Sequence, residues 1–95
     1  MHLAAYHFDG DIDALQAGYD RVLTRFSAEV MLNLSVARAG GITVYDVCPT
    51  VADFEAFSTS DEFASALAEA GLPKPRIESL GDIRATHGSA VVQPA

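Results

Sequence analysis

The chain is short of most features that would point directly to a chemistry. It has a single cysteine, Cys48, so no intrachain disulfide can form, and a reducing, cytoplasmic setting suits it best. It is short of positive charge: 6 Lys and Arg stand against 13 Asp and Glu, for a formal net charge of −7. A surface that negative repels phosphate backbones, so nucleic acid and anionic membrane are excluded as expected partners. No apolar run approaches the roughly 20 residues of a membrane span. Met1-His2-Leu3 has neither the basic nor the long apolar region of a signal peptide, so none is expected. No internal repeat or linker interrupts the sequence. No histidine pair has ligand spacing and no cysteine or carboxylate cluster accompanies a histidine, so neither a metal nor a cofactor is expected.

What remains is 95 residues, 49% apolar and 20% charged, the make-up of one compact domain. That domain is expected over residues 1–87, with a frayed, aperiodic tail at 88–95.

Residues 3–8 are apolar and aromatic and stop at Asp9-Gly10-Asp11, which reads as a strand and then a helix start. Asp11 is a good N-cap, because its carboxylate can accept from the free N–H groups of the first turn. Leu15, Tyr19, Val22, Leu23 and Phe26 then form one apolar helical stripe, predicting a helix over 11–26. Residues 30–37 alternate with period two, Arg38-Ala39-Gly40-Gly41 turns the chain, and residues 42–48 form the second arm of a hairpin. Thr50 and Asp53 have capping-box spacing at the start of a second helix. Ser58-Thr59-Ser60 breaks that helix, and Ser60 or Ser58 can cap a second piece carrying Phe63, Ala66, Leu67 and Ala70. Gly71 and Pro73 end it. Residues 76–86 are the last strand, with Gly81-Asp82 marking a bulge or bend.

The hairpin register decides which residues share a face. A two- or four-residue loop sets Val30, Leu32, Leu34 and Val36 beside Thr43, Tyr45 and Val47. The reverse face then holds Asn33, Ser35, Asp46 and Cys48 with Met31, Ala37, Ile42 and Val44. A three-residue loop would bury Asp46 among valines and leucines at high cost, so the first register is expected. The strand and helix order predicts an α+β, ferredoxin-like βαββαβ fold with a four-stranded antiparallel sheet and the helices on one face. The other face, expected to be the one carrying Asn33, Ser35 and Asp46, spans roughly 400 Å² for four strands of about six residues. That is near the upper limit of what a monomer leaves bare, so a homodimer closing sheet to sheet into a barrel is expected, with those polar groups inside.

The run Gly41-Ile42-Thr43-Val44-Tyr45-Asp46-Val47-Cys48, followed by Phe54-Glu55-Ala56-Phe57 and Gly71-Leu72-Pro73-Lys74-Pro75, resembles small actinobacterial-type proteins of the dimeric α/β-barrel superfamily. That superfamily includes the antibiotic-biosynthesis-type monooxygenases, and the resemblance covers about residues 2–86. It implies the same dimeric barrel fold and, for function, a cofactor-free monooxygenase or isomerase acting on a small aromatic or polyketide-like molecule. Relatives usually carry tryptophan where Cys48 stands and often histidine where Asn33 stands. This chain has no tryptophan, so the Asn, Trp and His set of the superfamily's monooxygenases is incomplete here.

Asp46 is the first candidate for chemistry. A mid-strand carboxylate among apolar neighbours is expensive unless partnered, and desolvation would raise its pKa into the range of a general base. Asn33, across the hairpin, can orient a carbonyl or simply hydrogen-bond Asp46. His7 completes the catalytic candidates, although only one of Tyr6 and His7 can face the cleft. Met31, Ser35, Tyr6, Val44, Cys48 and His87 are candidate ligand contacts. His7 and His87 are also the conceivable haem ligands, while His2 is expected to be exposed. Cys48 reads as a small buried hydrophobe, since neighbouring Asp46 would raise its pKa. Tyr45, Phe54, Phe57 and Phe63 read as core. The competing reading keeps the fold without catalysis, as a small-ligand binder or a purely structural dimer whose polar groups satisfy one another.

Overall fold

The computed structural model describes residues 1–26 and 31–88. Along the chain come β1 (His2–Asp9), α1 (Ile12–Phe26), β2 (Leu32–Arg38) and β3 (Gly41–Cys48). They are followed by α2 (Val51–Ser58), α3 (Asp61–Glu69) and β4 (Arg76–Asp82). The four strands make one open antiparallel sheet in the order β2-β3-β1-β4, so the fold is α+β with a roughly ferredoxin-like arrangement. No helix among the described residues is long and apolar enough to cross a membrane.

Local chemistry sets the element ends. Asp11 accepts from the Ala14 amide at 2.9 Å and starts α1. Thr50 accepts from the Asp53 amide at 3.1 Å, and its hydroxyl donates back to the Asp53 carboxylate at 2.9 Å. Ser60 accepts from the Phe63 amide at 3.2 Å, which starts α3 as a separate helix. Gly71 takes a φ of +74°, the left-handed stop that follows α3. The ladder shift between Leu3 and Ala4 lies opposite Gly81, where the bulge was expected.

The hairpin pairs Leu32 with Val47, Asn33 with Asp46, Leu34 with Tyr45 and Val36 with Thr43 across a two-residue turn, which is the expected register. The expected choice of bare face is overturned. The helices cover the side that carries Ala4, Tyr6 and Phe8 of β1, Ile42, Val44 and Cys48 of β3, and therefore Asp46 and Asn33. The bare side carries Leu32, Leu34 and Val36, which are 37%, 47% and 45% exposed, together with Tyr45 and His7.

The physical reason lies in the central strands. Tyr6, Phe8, Ile42 and Val44 are the largest fully buried side chains, and they offer the helices more apolar volume than Leu3, Ala5 and His7 on the reverse. β2, whose alternation is the clearest in the sequence, is an edge strand and follows the register set by its inner neighbour.

Four smaller expectations also change. β4 ends at Asp82 rather than 86, so His87 lies in exposed chain beyond the sheet. Tyr45 sits half-buried on the bare face and not in the core. His2 is buried, its ring 5.2 Å from that of Phe54 and its Nε2 3.0 Å from the Ser79 hydroxyl. Met31 is exposed and precedes β2. Val30 and the tail beyond Gly88 lie outside the described residues.

Candidate functional site

Beneath the helices the sheet presents one row in which Asn33, Asp46, Ala4 and Ser79 stand side by side across all four strands. Ala4 is small, so the space over Asp46 is not filled by its neighbour on β1. Tyr6 reaches into this region from β1 and Tyr19 from α1. Asn33 donates through Nδ2 to the Tyr19 hydroxyl at 3.1 Å and lies 3.5 Å from Asp46 Oδ1, at the outer limit of a hydrogen bond. The Cys48 thiol donates to Asp46 Oδ2 at 3.4 Å.

Asp46 forms the wall between two spaces. The outer one is a cleft of about 460 Å³ bounded by Phe26, Phe57, Cys48, Asp53 and Glu62 as well as Asp46. The inner one is a void of about 20 Å³ under Tyr19, Asn33 and Phe63, large enough for about one water molecule. The outer volume lies within the roughly 300–1,000 Å³ usual for small-molecule sites.

Burial raises the Asp46 carboxyl above the ordinary aspartate range, and the hydrogen bonds from Cys48, Asn33 and the Val47 amide offset only part of that rise. No cationic side chain forms an ion pair with it among the described residues. Burial, followed by the Asp46 charge, pushes the Cys48 thiol up to about 12, which leaves it a poor nucleophile. Tyr6 and Tyr19 are raised mainly by burial and stay protonated donors. The Tyr6 side chain is 1% exposed, yet its hydroxyl has no hydrogen-bond partner, the sole such buried side-chain atom among the described residues. Buried polar groups are nearly always paired, which makes this hydroxyl an exception, within the electrostatic reach of Asp46 and Cys48.

The structure brings Asp46, Asn33, Tyr6 and Cys48 together and leaves the other sequence candidates elsewhere. His7 is on the bare face, its Nδ1 2.9 Å from the Thr43 hydroxyl and its Nε2 2.9 Å from Glu78 Oε1. Thr43 accepts from Arg38 Nε at 3.0 Å, which leaves its hydroxyl proton free to face His7. Val44 is fully buried in the core. Ser35 sits on the exposed edge strand, 3.4 Å from Gln16 Nε2, and Met31 and His87 are exposed.

Sequence reasoning missed Tyr19, Phe26, Asp53 and Glu62 as parts of the site. A tyrosine in a buried helical stripe needs a partner for its hydroxyl, which was the available signal for Tyr19. Asp53 and Glu62 are in the first turns of α2 and α3, where helix-dipole and capping roles fully account for an acid. No group of three or more histidine, cysteine or acidic side chains able to hold a metal occurs among the described residues. Compared with known proteins, the chain matches no family model, no curated protein and no solved structure.

Proposed function

We propose that the cleft between the sheet and the helices binds a small, largely apolar or aromatic molecule, and that Asp46 takes a proton from it. The carrying observation is a half-buried carboxylate with no ion-pair partner among the described residues, on the wall of a cleft of about 460 Å³. A raised carboxyl is a better proton acceptor near neutral pH than an exposed one. Asn33 and the Cys48 thiol hydrogen-bond Asp46 and hold it in the cleft wall. These parts suit proton abstraction next to a carbonyl, as in an isomerisation. With dioxygen as co-reactant they also suit a cofactor-free oxidation. The same reading places the chain in the dimeric α/β-barrel superfamily, two copies meeting through their bare sheet faces. In that assembly the polar row lies under the helices of each copy and not inside the barrel.

The test is deuterium exchange at the acidic C–H of phenylacetone in D₂O, followed by proton NMR. The protein is expected to accelerate exchange over buffer, and Asp46→Asn to lose about a hundredfold or more of that acceleration while keeping its circular dichroism. No acceleration, or acceleration untouched by Asp46→Asn, would remove the proposed role.

A further inference from the structure

A second set of polar groups lies on β1 and the edge strand β4, apart from the cleft. Ser79 of β4 is exposed, and its hydroxyl stands 3.0 Å from Nε2 of His2. The His2 ring is buried, 5.2 Å from the ring of Phe54, and its Nδ1 stands 3.8 Å from Oδ1 of Asp82. In a regular strand residues 79 and 82, three apart, fall on opposite faces. The ladder shift changes that: Ala4 is opposite Ser79, Leu3 opposite Gly81 and His2 opposite Asp82. Ala4 and His2 share a face, so the extra residue of β4 brings Ser79 and Asp82 to the same side, one at each ring nitrogen of His2. Gly81 takes a φ of +140° at the shift, a conformation that suits glycine.

The carboxylate favours the His2 tautomer protonated at Nδ1, which leaves Nε2 to accept the Ser79 proton. Ile77, two residues before Ser79 on the same side of β4, is a wall of a groove of about 440 Å³. Phe63, Leu67, Leu72 and Pro75 also line it, and its volume is usual for a small-molecule site. Two residues of strand place Ser79 about 7 Å along from Ile77. We infer that Ser79 is a nucleophile toward esters of apolar carboxylic acids, with His2 as its base and the acyl chain lying in this groove. The Ser79 oxygen bonds to the ester carbonyl carbon while His2 Nε2 takes the hydroxyl proton. The carbon–oxygen bond to the alcohol then breaks, and the leaving oxygen takes that proton from His2. Water attacks the acyl-serine by the same route and releases the acid and the free hydroxyl. Asp82 is a positioning residue that fixes the tautomer and steadies the charged imidazole. No step uses Asp46, so this reading stands or falls apart from the cleft.

Diisopropyl fluorophosphate tests the nucleophile, because an activated serine oxygen bonds to its phosphorus and expels fluoride. The full-length protein is treated and its peptides are mapped by mass spectrometry. Ser35, exposed on β2 with its hydroxyl beside Gln16, is the internal reference. Ser79 is expected to label at least about a hundredfold faster than Ser35. Asp82→Asn, an exposed change, should slow that labelling about fivefold, the worth of one exposed ion pair, and Asp82→Glu should restore most of it. Initial rates with p-nitrophenyl acetate and p-nitrophenyl hexanoate test the groove. The longer ester is expected to show at least about a tenfold higher kcat/KM, and Ser79→Ala to lose the turnover of both.

Labelling of Ser79 no faster than that of Ser35, or ester hydrolysis untouched by Ser79→Ala, would overturn the nucleophile. Equal kcat/KM for the two esters would remove the groove as the acyl site. An Asp82→Asn protein that labels at the parent rate would remove the role given to Asp82.

Discussion

Two buried tyrosines separate a satisfied hydroxyl from an unsatisfied one within a single site. Tyr19 accepts from Asn33, so Tyr19→Phe should cost about 0.5–1.5 kcal/mol in urea denaturation. The Tyr6 hydroxyl is buried without a partner, so Tyr6→Phe should be neutral or stabilise by up to about 1–3 kcal/mol. A loss on Tyr6→Phe as large as that on Tyr19→Phe would mean that the Tyr6 hydroxyl is paired after all.

Asp46 gives the matching pH signature. Its folded-state pKa lies above the unfolded value, so the stability linked to this proton is fully present below about pH 4. It is lost as pH rises through the raised folded value. Asp46→Asn should therefore match the parent in urea midpoint at acid pH and exceed it at neutral pH. Asp9, lowered chiefly by the Arg38 hydrogen bond, has the opposite sign: what it contributes is lost as pH falls. A site that gains stability when its acid is neutralised while losing proton transfer is strained for use.

At the scale of elements, the sequence speaks clearly where side chains act on their own backbone. The Asp11, Thr50 and Ser60 caps, the α1 stripe from Leu15 to Phe26 and the turn at Gly40 follow from local spacing, and each is where that spacing puts it. Ser60→Ala should cost about 1 kcal/mol, read by denaturant unfolding.

Gly41 is required for another reason. A Cβ there would collide with the Phe8 carbonyl oxygen, so Gly41→Ala should cost about 2 kcal/mol or more and loosen the β1–β3 ladder in hydrogen exchange. The hairpin register came out as expected but for a different reason: Asp46 lies on the covered side with Ile42 and Val44, and the leucines and valine of β2 face outward. The covered face was not legible, because β2 alternates strongly but sits at the edge. Burial is decided in the middle of the sheet, by Tyr6, Phe8, Ile42 and Val44, and that requires knowing the strand order. Asp46 was legible as a costly mid-strand acid. Its company of Tyr19, Phe26, Asp53 and Glu62 was not, since helix stripe and helix cap explain those residues locally.

At the scale of the molecule, the sheet divides the work between its two sides. The covered side holds the polar row and the cleft. The bare side holds Leu32, Leu34, Val36 and Tyr45, an apolar stripe at an edge, which is the surface a second copy would cover. Sedimentation at micromolar concentration should give a dimer, and Leu34→Glu should give a monomer of unchanged circular dichroism. A parent that sediments as a single chain would remove the barrel while leaving the cleft intact.

Everything assigned to the cleft depends on Asp46 lying beneath the helices and not on the bare face. Carbon-13 NMR titration of the aspartate carboxyl groups reads that placement directly. The Asp46 signal is expected to titrate above the ordinary aspartate value while Asp9 titrates below it. An Asp46 midpoint at or below the ordinary value would put the carboxylate in water and contradict the site.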